Sequence, residues 1–249
     1  MIDTHCHIYK DSFDDIDKVV NNMDGYMIVS GCDDDTNKEV LRLVSVYPNV
    51  YGTLGLHPTD LDKLTDKSFK IIEDNINNPK IVGIGEIGLD YHYENTDKEL
   101  QQEIFIKQIL LAKKYNKTVV IHSRDAIEDT YNILDKYIGN TKCILHCYGS
   151  SVEMAKKFLK FNIMFGIGGV VTFKNGKTLK EVVKEIDIKY LLLETDSPYL
   201  APEPLRGTIN EPKNVDLVAS KIAEIKEINK EQVLEITTSN AISQFDLPI

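Results

Sequence analysis

Short runs of β-branched and other apolar residues recur along the 249-residue chain, each followed by a polar loop and an amphipathic segment. The eight runs are MIDTH, YMIVSG, VYGTLGLH, IVGIGEIG, TVVIHS, CILHCY, IMFGIGG and YLLLETD. Strands that alternate with helices form parallel sheets covered by helices. Eight such units in about 250 residues match a (β/α)8 barrel. The sequence therefore predicts a single α/β domain of this type over residues 1–249.

The segments between the runs carry helical patterns. In DKELQQEIFIKQILLAKKY, apolar residues fall at helical spacing, namely Leu100, Ile104, Leu111 and Tyr115. The segment NKEQVLEITTSNAISQF predicts an extra helix after the eighth unit. A doubly wound open sheet is the alternative fold. The chain lacks the G-x-G-x-x-G motif after its first strand, which weakens that alternative.

Composition narrows the classes of partner. Lys and Arg number 29 against 39 Asp and Glu, a formal net charge of −10, which excludes a generic basic surface for nucleic acid. No apolar stretch approaches the roughly 18 residues that span a bilayer, and no secretory signal follows Met1. We therefore expect a cytoplasmic protein without a membrane partner. The four cysteines form no C-x-x-C pair, and we expect free thiols.

Polar residues gather where the predicted strands end. His5 and His7 are two positions apart, so both side chains face one side of the first strand and Cys6 faces the other. The full set comprises five of the six histidines and two carboxylates: His5, His7, His57, Glu86, His122, His146 and Asp196. In a (β/α)8 barrel the carboxyl ends of the strands converge on one mouth, where active sites are built. We expect these side chains to meet there.

Apart from His57, this set offers four histidines, one Glu and one Asp, which together form a ligand set of nitrogen and oxygen atoms. Such a set suits Zn²⁺, Mn²⁺, Co²⁺ or Fe²⁺, and partly Mg²⁺. A catalytic zinc normally uses three protein ligands and a water, so six ligands predict two divalent metal ions that share a carboxylate. Paired metals about 3.5–4 Å apart stabilise the attacking and leaving oxygens of a phosphoryl displacement.

Several assignments remain open at this stage. His57, in GLHP, lies either in a second shell around the metals or in a plain loop. Tyr91 and Tyr148 either stack on a base or cover the barrel. Glu194 shares its strand face with Asp196 and points into the barrel, where a buried carboxylate needs a partner. The sequence names no such partner.

Motifs along nearly the whole chain resemble the TatD family of metal-dependent deoxyribonucleases, among the amidohydrolase-like TIM barrels. The motifs are DTHCH, GLHP, GEIGLDY, VIHSRDA, LHCY, TFKN, ETDSPYLAP and RGTINEP. One departure is CYGSS after His146, where the family usually has Cys-Phe-Ser/Thr-Gly. Tyr148 keeps an aromatic ring, but Gly149 stands at the hydroxyl position.

The resemblance implies roles for individual residues. The implied metal ligands are His5, His7, Glu86, His122, His146 and Asp196, with Glu86 able to bridge two ions. The implied catalytic residues are Asp196, Glu86 and Arg124. The candidates for substrate contact are His57, Tyr91, Arg124, Lys174 and Arg206. The implied substrate is DNA, bound as a single strand or at frayed ends. The protein is expected to be a monomer, and no protein partner is inferred.

Three hypotheses about activity follow. The first is a metal-dependent phosphodiesterase that digests DNA from strand ends. The second keeps the metals but cleaves another ester or amide bond, as in an aminoacyl-tRNA deacylase or a small amidohydrolase. The third is a barrel that binds a partner and has lost its chemistry, which the complete predicted ligand set disfavours.

Overall fold

A computed structural model describes residues 1–249. The strands are β1 (Ile2–Cys6), β2 (Tyr26–Ser30), β3 (Val50–Leu54), β4 (Ile81–Asp90), β5 (Thr118–Arg124), β6 (Cys143–Leu145), β7 (Ile163–Ile167) and β8 (Leu191–Leu193). They form one sheet in the order β1 to β8. A doubly wound sheet reverses its strand order part-way, so this sequential order excludes that alternative. The predicted (β/α)8 fold class is confirmed.

Helices follow the strands. They are α1 (Ile16–Asn21), α2 (Asp34–Val46), α3 (Ser68–Asn75), α4 (Lys98–Tyr115), α5 (Ile127–Tyr137), α6 (Val152–Phe158), α7 (Lys177–Glu185), α8 (Val215–Lys226) and α9 (Lys230–Phe245). The extra helix after the eighth unit is α9, as predicted. No helix combines the length and the apolar character that a bilayer crossing needs.

The chain groups into two compact units. The first comprises Met1–Val29, His146–Lys160 and Met164–Ile249, and the second comprises Ser30–Leu145 and Phe161–Ile163. Neither unit is a continuous segment, so no linker in the sequence marks a boundary between them. The prediction of a single domain over residues 1–249 stays a prediction.

In the first unit, β1 pairs with β2 and β7 pairs with β8, all parallel. Backbone hydrogen bonds also join the end of β1 to the segment after β8, from the Asp196 amide to the His5 carbonyl (3.0 Å) and from the His7 amide to the Ser197 carbonyl (2.6 Å). Phe158 of α6 and Phe165 of β7 are fully buried in this unit. Burial of such apolar area is the main stabilising contribution.

In the second unit, β3, β4, β5 and β6 pair in parallel in that order. The long helix α4 begins at the cap residue Asp97, whose side chain accepts from the Leu100 amide, and ends at Asn116 in the left-handed region (φ 51°). Of the residues at helical spacing, it buries Ile104 and Leu111, together with Phe105 and Ile109, as expected for a helix with one apolar face.

Two buried glutamines of α4 bind the loop that follows β3 and the last residue of β4. Gln108 accepts from the Leu56 amide (2.8 Å) and donates to the Leu56 carbonyl (3.1 Å). Gln101 accepts from the Asp90 amide (2.8 Å) and donates to the carbonyls of Asp90 and Pro58. These bonds satisfy backbone groups that would otherwise be buried without partners. They also fix the residues on either side of His57, which lies between Leu56 and Pro58.

Candidate metal-binding active site

The first unit contains a group of three potential metal ligands, which we call the first donor group: His5, His7 and Asp196. The Nε2 atoms of His5 and His7 lie 3.1 Å apart. The Asp196 Oδ1 atom lies 3.7 Å from His5 Nε2 and 3.5 Å from His7 Nε2. Cys6 points away from this group, and its Sγ contacts the Ile28 carbonyl. The predicted alternation along β1 is therefore present in the structure.

The buried carboxylate of Asp3 supports the first donor group. It accepts from the His5 amide (3.3 Å), from the Thr195 amide (3.0 Å) and from the Thr195 hydroxyl (2.6 Å). Asp3 thereby connects the backbone of His5 to Thr195, the residue that precedes Asp196. Burial raises the pKa of Asp3 to about 7, against the lowering effect of these hydrogen bonds. Sequence reasoning missed Asp3, although its position two residues before His5 places it on the same strand face.

His146 and Glu194 adjoin the first donor group. The His146 ring stacks on the His5 ring with centroids 4.0 Å apart, and its Nδ1 lies 3.8 Å from Glu194 Oε1. Glu194 is fully buried, and it accepts from the Cys147 amide at 2.5 Å. Burial raises the pKa of Glu194 to about 8, although the charge of His146 lowers it. The partner that the sequence could not name is thus a backbone amide.

The imidazoles keep Asp196 ionised. Burial alone would raise the pKa of this carboxylate. The hydrogen bond to His7 and the charges of His146 and His5 outweigh burial, and the pKa of Asp196 lies below its ordinary value. An ionised carboxylate between two imidazole nitrogens can hold a cation or accept a proton.

The second unit contains the second donor group: His57, Glu86 and His122. Glu86 Oε1 lies 3.3 Å from His57 Nε2 and 2.9 Å from His122 Nδ1. On its other side, His57 Nδ1 pairs with the Thr59 hydroxyl at 2.7 Å, which directs Nε2 toward Glu86. The structure therefore brings His57, left open by the sequence, together with two predicted ligands.

Strand register builds the second donor group. His122 of β5 pairs with Gly88 of β4, and Glu86 and Asp90 lie two positions before and after Gly88 on the same strand. The His122 ring accordingly meets Glu86 through Nδ1 and Asp90 Oδ2 through Nε2, at 3.0 Å. Gly88 has φ +142°, and a Cβ there would collide with the His122 carbonyl. Only glycine fits this position.

Two carboxylates hold the His122 ring. Burial would lower the pKa of His122, but the hydrogen bonds to Asp90 and Glu86 raise it to about 9. A carboxylate on the second nitrogen of a ligating histidine fixes its tautomer and orientation. Asp90 occupies that position, and sequence reasoning did not assign it a role.

Both donor groups fit a divalent metal ion. Metal–nitrogen bonds of about 2.0–2.1 Å place neighbouring ligand atoms about 2.9–3.4 Å apart. The two imidazole nitrogens of the first group are 3.1 Å apart, within this range, whereas the Asp196 oxygen lies slightly outside it, at 3.7 and 3.5 Å from them. In the second group, Glu86 lies within the range, at 3.3 and 2.9 Å from the two imidazole nitrogens. Each group offers two imidazole nitrogens and one carboxylate, which suits zinc and similar metals. That the two groups serve one centre stays a prediction.

The other predicted contact residues lie outside the two donor groups. The Tyr91 hydroxyl donates to Asp129 (2.9 Å) and accepts from Gln102 (2.8 Å), which occupies it in contacts with α5 and α4. Arg124, at the end of β5, is exposed, as is Lys174. The Arg206 guanidinium lies 3.9 Å from the centroid of the Phe173 ring. Tyr148 is buried, so it does not offer its ring to solvent.

Comparison with known proteins assigns the family. The family model described as TatD related DNase matches residues 2–246. This chain belongs to the TatD family. An uncharacterised metal-dependent hydrolase from Bacillus subtilis, YabD, is 40% identical to it, over 97% of each chain. Another uncharacterised metal-dependent hydrolase, from Methanocaldococcus jannaschii, is 36% identical over 98% of this chain and 96% of its own.

Solved structures agree with the fold of this TatD-family chain. The TatD homologue YjjV from Escherichia coli has a TM-score of 0.92 and 27% identity, covering all of this chain and 98% of its own. A TatD-family hydrolase from Entamoeba histolytica has a TM-score of 0.86 at 23% identity, covering 98% and 97% of the two chains, and this likeness concerns the fold alone. The TatD-family chain is accordingly a metal-dependent hydrolase with a TIM-barrel fold.

The position of Asp90 leads to a prediction about metal affinity. The Asp90→Asn variant keeps the shape of the side chain but removes the charge that holds His122 Nε2. We expect its metal affinity to fall by about tenfold or more, since loss of such a carboxylate typically costs 10–100-fold. Competition with a chromogenic chelator measures the change.

Asp125→Asn is the matched control. Asp125 also pairs with a histidine, His92, at 3.1 Å, but that pair is solvent-exposed and lies outside both donor groups. The metal affinity of the Asp125→Asn variant should equal that of the unmodified protein. Equal affinities for Asp90→Asn and Asp125→Asn would show that Asp90 does not position His122.

Proposed function

We propose that this TatD-family chain is a metal-dependent phosphodiesterase that digests DNA from single-stranded or frayed ends. The observation that carries the proposal is the pair of donor groups, each with two imidazoles and a carboxylate. The proposed ligands are His5, His7, His146 and Asp196 in the first unit, and Glu86 and His122 in the second. His57 joins Glu86 and His122 in the second donor group. The name of the family, TatD related DNase, supports DNA as the substrate.

Bound divalent ions supply an acidified water and neutralise charge on a phosphate. The chain's own residues act on that water and on the substrate. Asp196 is the proposed acceptor of the proton from the attacking water, because its neighbouring imidazoles favour the ionised form. Glu86 lies between the imidazoles of His57 and His122, and its carboxylate would hold a divalent ion together with them.

Binding of a polyanion by a chain of net charge −10 requires local positive charge. Arg124, Lys174 and Arg206 are the proposed phosphate contacts. Arg206 is stacked on Phe173, which holds its guanidinium in place before substrate arrives. Arg124 is also the proposed stabiliser of the charge that develops on the phosphate.

None of the four cysteines forms a disulfide bond, which supports the proposal that the protein works in a reducing compartment such as the cytoplasm. The identity of the metals, including zinc, and a monomeric state stay predictions.

A substrate panel tests the proposed function. End-labelled single-stranded DNA, an aminoacyl-tRNA and a cyclic amide are incubated with the protein and each candidate divalent metal, with and without EDTA. We expect stepwise shortening of the DNA with metal and none with EDTA. Cleavage of only the acyl or amide substrate would overturn the phosphodiesterase proposal in favour of the second hypothesis. Inactivity on all three substrates would contradict it as well.

A further inference from the structure

The segment after Asp196 carries large apolar side chains in contact with solvent. Tyr199 and Ile209 are each 61% exposed, and Leu200 is 36% exposed. Exposed apolar groups beside a functional site commonly mark a binding surface. The Tyr199 ring also lies close to the first donor group, with its centroid 6.3 Å from that of His7 and the two planes inclined at 61°.

The backbone of this segment is fixed although its side chains are exposed. The Tyr199 amide donates to the Asp196 carbonyl (2.9 Å), and the Tyr199 carbonyl accepts from the side chain of Asn210 (2.8 Å). Asn210 is fully buried, and its side chain also donates to the Thr195 carbonyl (2.9 Å). The backbone that carries the Tyr199 ring is therefore fixed, and binding a substrate there orders little additional backbone.

We propose that Tyr199 is a stacking platform for a nucleobase of the substrate strand, next to the phosphate held at the first donor group. The inference rests on the proposed function and specifies how the substrate is recognised. Every base has a π-face, so stacking on an aromatic side chain binds single strands with little preference for sequence. Arg206, mounted on Phe173 in the same unit, supplies a cation for the backbone of that strand.

Stacking explains how an acidic chain gains affinity for a strand without a broad basic surface. It also explains a preference for frayed ends, because bases inside a duplex already stack on their neighbours and present no free face. Removing the bases from the substrate should therefore weaken binding to the unmodified protein. It should have no such effect on a variant that lacks the Tyr199 ring.

Steady-state hydrolysis of two oligonucleotides tests the platform. One carries normal bases, and the other has abasic residues at its terminal positions but the same phosphates. For the normal strand, Tyr199→Ala should raise KM by roughly tenfold and leave kcat nearly unchanged. For the abasic strand the same variant should match the unmodified protein. Tyr199→Phe should behave as the unmodified protein on both, since the ring and not the hydroxyl is required.

Tyr93→Ala is the matched control, because Tyr93 is 59% exposed and its ring contacts that of His92, which belongs to neither donor group. It should leave both KM values unchanged. A second measurement does not need turnover: quenching of 2-aminopurine in a phosphorothioate oligonucleotide on binding. Quenching should weaken with Tyr199→Ala and persist with Tyr199→Phe and Tyr93→Ala.

The outcomes separate the two proposals. Equal losses on normal and abasic strands, or quenching unchanged in Tyr199→Ala, would overturn the platform while leaving the phosphodiesterase proposal intact. If the unmodified protein hydrolyses neither strand, the phosphodiesterase proposal fails, and the quenching measurement still decides whether Tyr199 stacks on a base.

Discussion

The Asp196→Asn variant should lose metal-dependent hydrolysis by about 10²–10⁴-fold while it remains folded. The substitution removes the charge that lies 3.5–3.7 Å from two imidazole nitrogens but keeps the shape of the side chain. Asparagine suits this position, because Asp196 has φ +54°, a left-handed conformation that Asn tolerates better than most residues. Asp196→Ala should lose activity equally but should also be less stable, by about 1 kcal/mol.

Rates on the substrate cleaved by the unmodified protein, together with the circular dichroism of each variant, measure these effects. Asp246→Asn is the matched control, since Asp246 is another aspartate in the left-handed region (φ +52°), at the end of α9. That variant should keep full activity. Full metal-dependent activity in Asp196→Asn would remove Asp196 from the proposed mechanism.

The second large effect concerns the number of metal ions bound. Two donor groups predict about two ions per chain, as in binuclear hydrolases. His7→Ala removes a ligand of the first group, and His122→Ala removes one of the second. Each variant should retain about one ion and lose most of its activity, because a catalytic metal normally needs three protein ligands. Elemental analysis of dialysed protein gives the ratio of metal to chain.

His92→Ala controls for the loss of a histidine as such. The His92 side chain is 47% exposed, and it pairs with the exposed carboxylate of Asp125, outside both donor groups. It should retain the full metal content and activity. A single ion in the unmodified protein, or loss of all metal from either His7→Ala or His122→Ala, would contradict two independent donor groups.

The sequence predicted the ligand positions where strand periodicity applies. His5 and Cys6 fall on opposite faces of β1, and His122 follows the alternation of β5, so a period of two was sufficient. His57 lies three residues beyond the end of β3, where that period no longer holds. Its contact with Glu86 depends on the loop that Gln108 and Gln101 fix, and these long-range bonds leave no local signal in the sequence.

The supporting carboxylates were harder to predict than the ligands. Asp3, Asp90 and Glu194 are buried, and each acts through a specific partner: Thr195, His122 and the Cys147 amide. A buried carboxylate can be recognised as needing a partner, but the partner is identified only once the strands are arranged in space. The grouping of the chain into two discontinuous units also depends on contacts that composition does not reveal.

The hydrogen bonds between Asp3 and Thr195 join residues 192 positions apart. Translation proceeds at about 5–20 residues per second, so roughly 10–40 s pass on the ribosome between synthesis of the first residue and the second. Throughout that interval the chain lacks Asp196, the carboxylate that completes the first donor group with His5 and His7. The first donor group is therefore complete only after residue 196 has been synthesised, and a chain that ends before that residue lacks it.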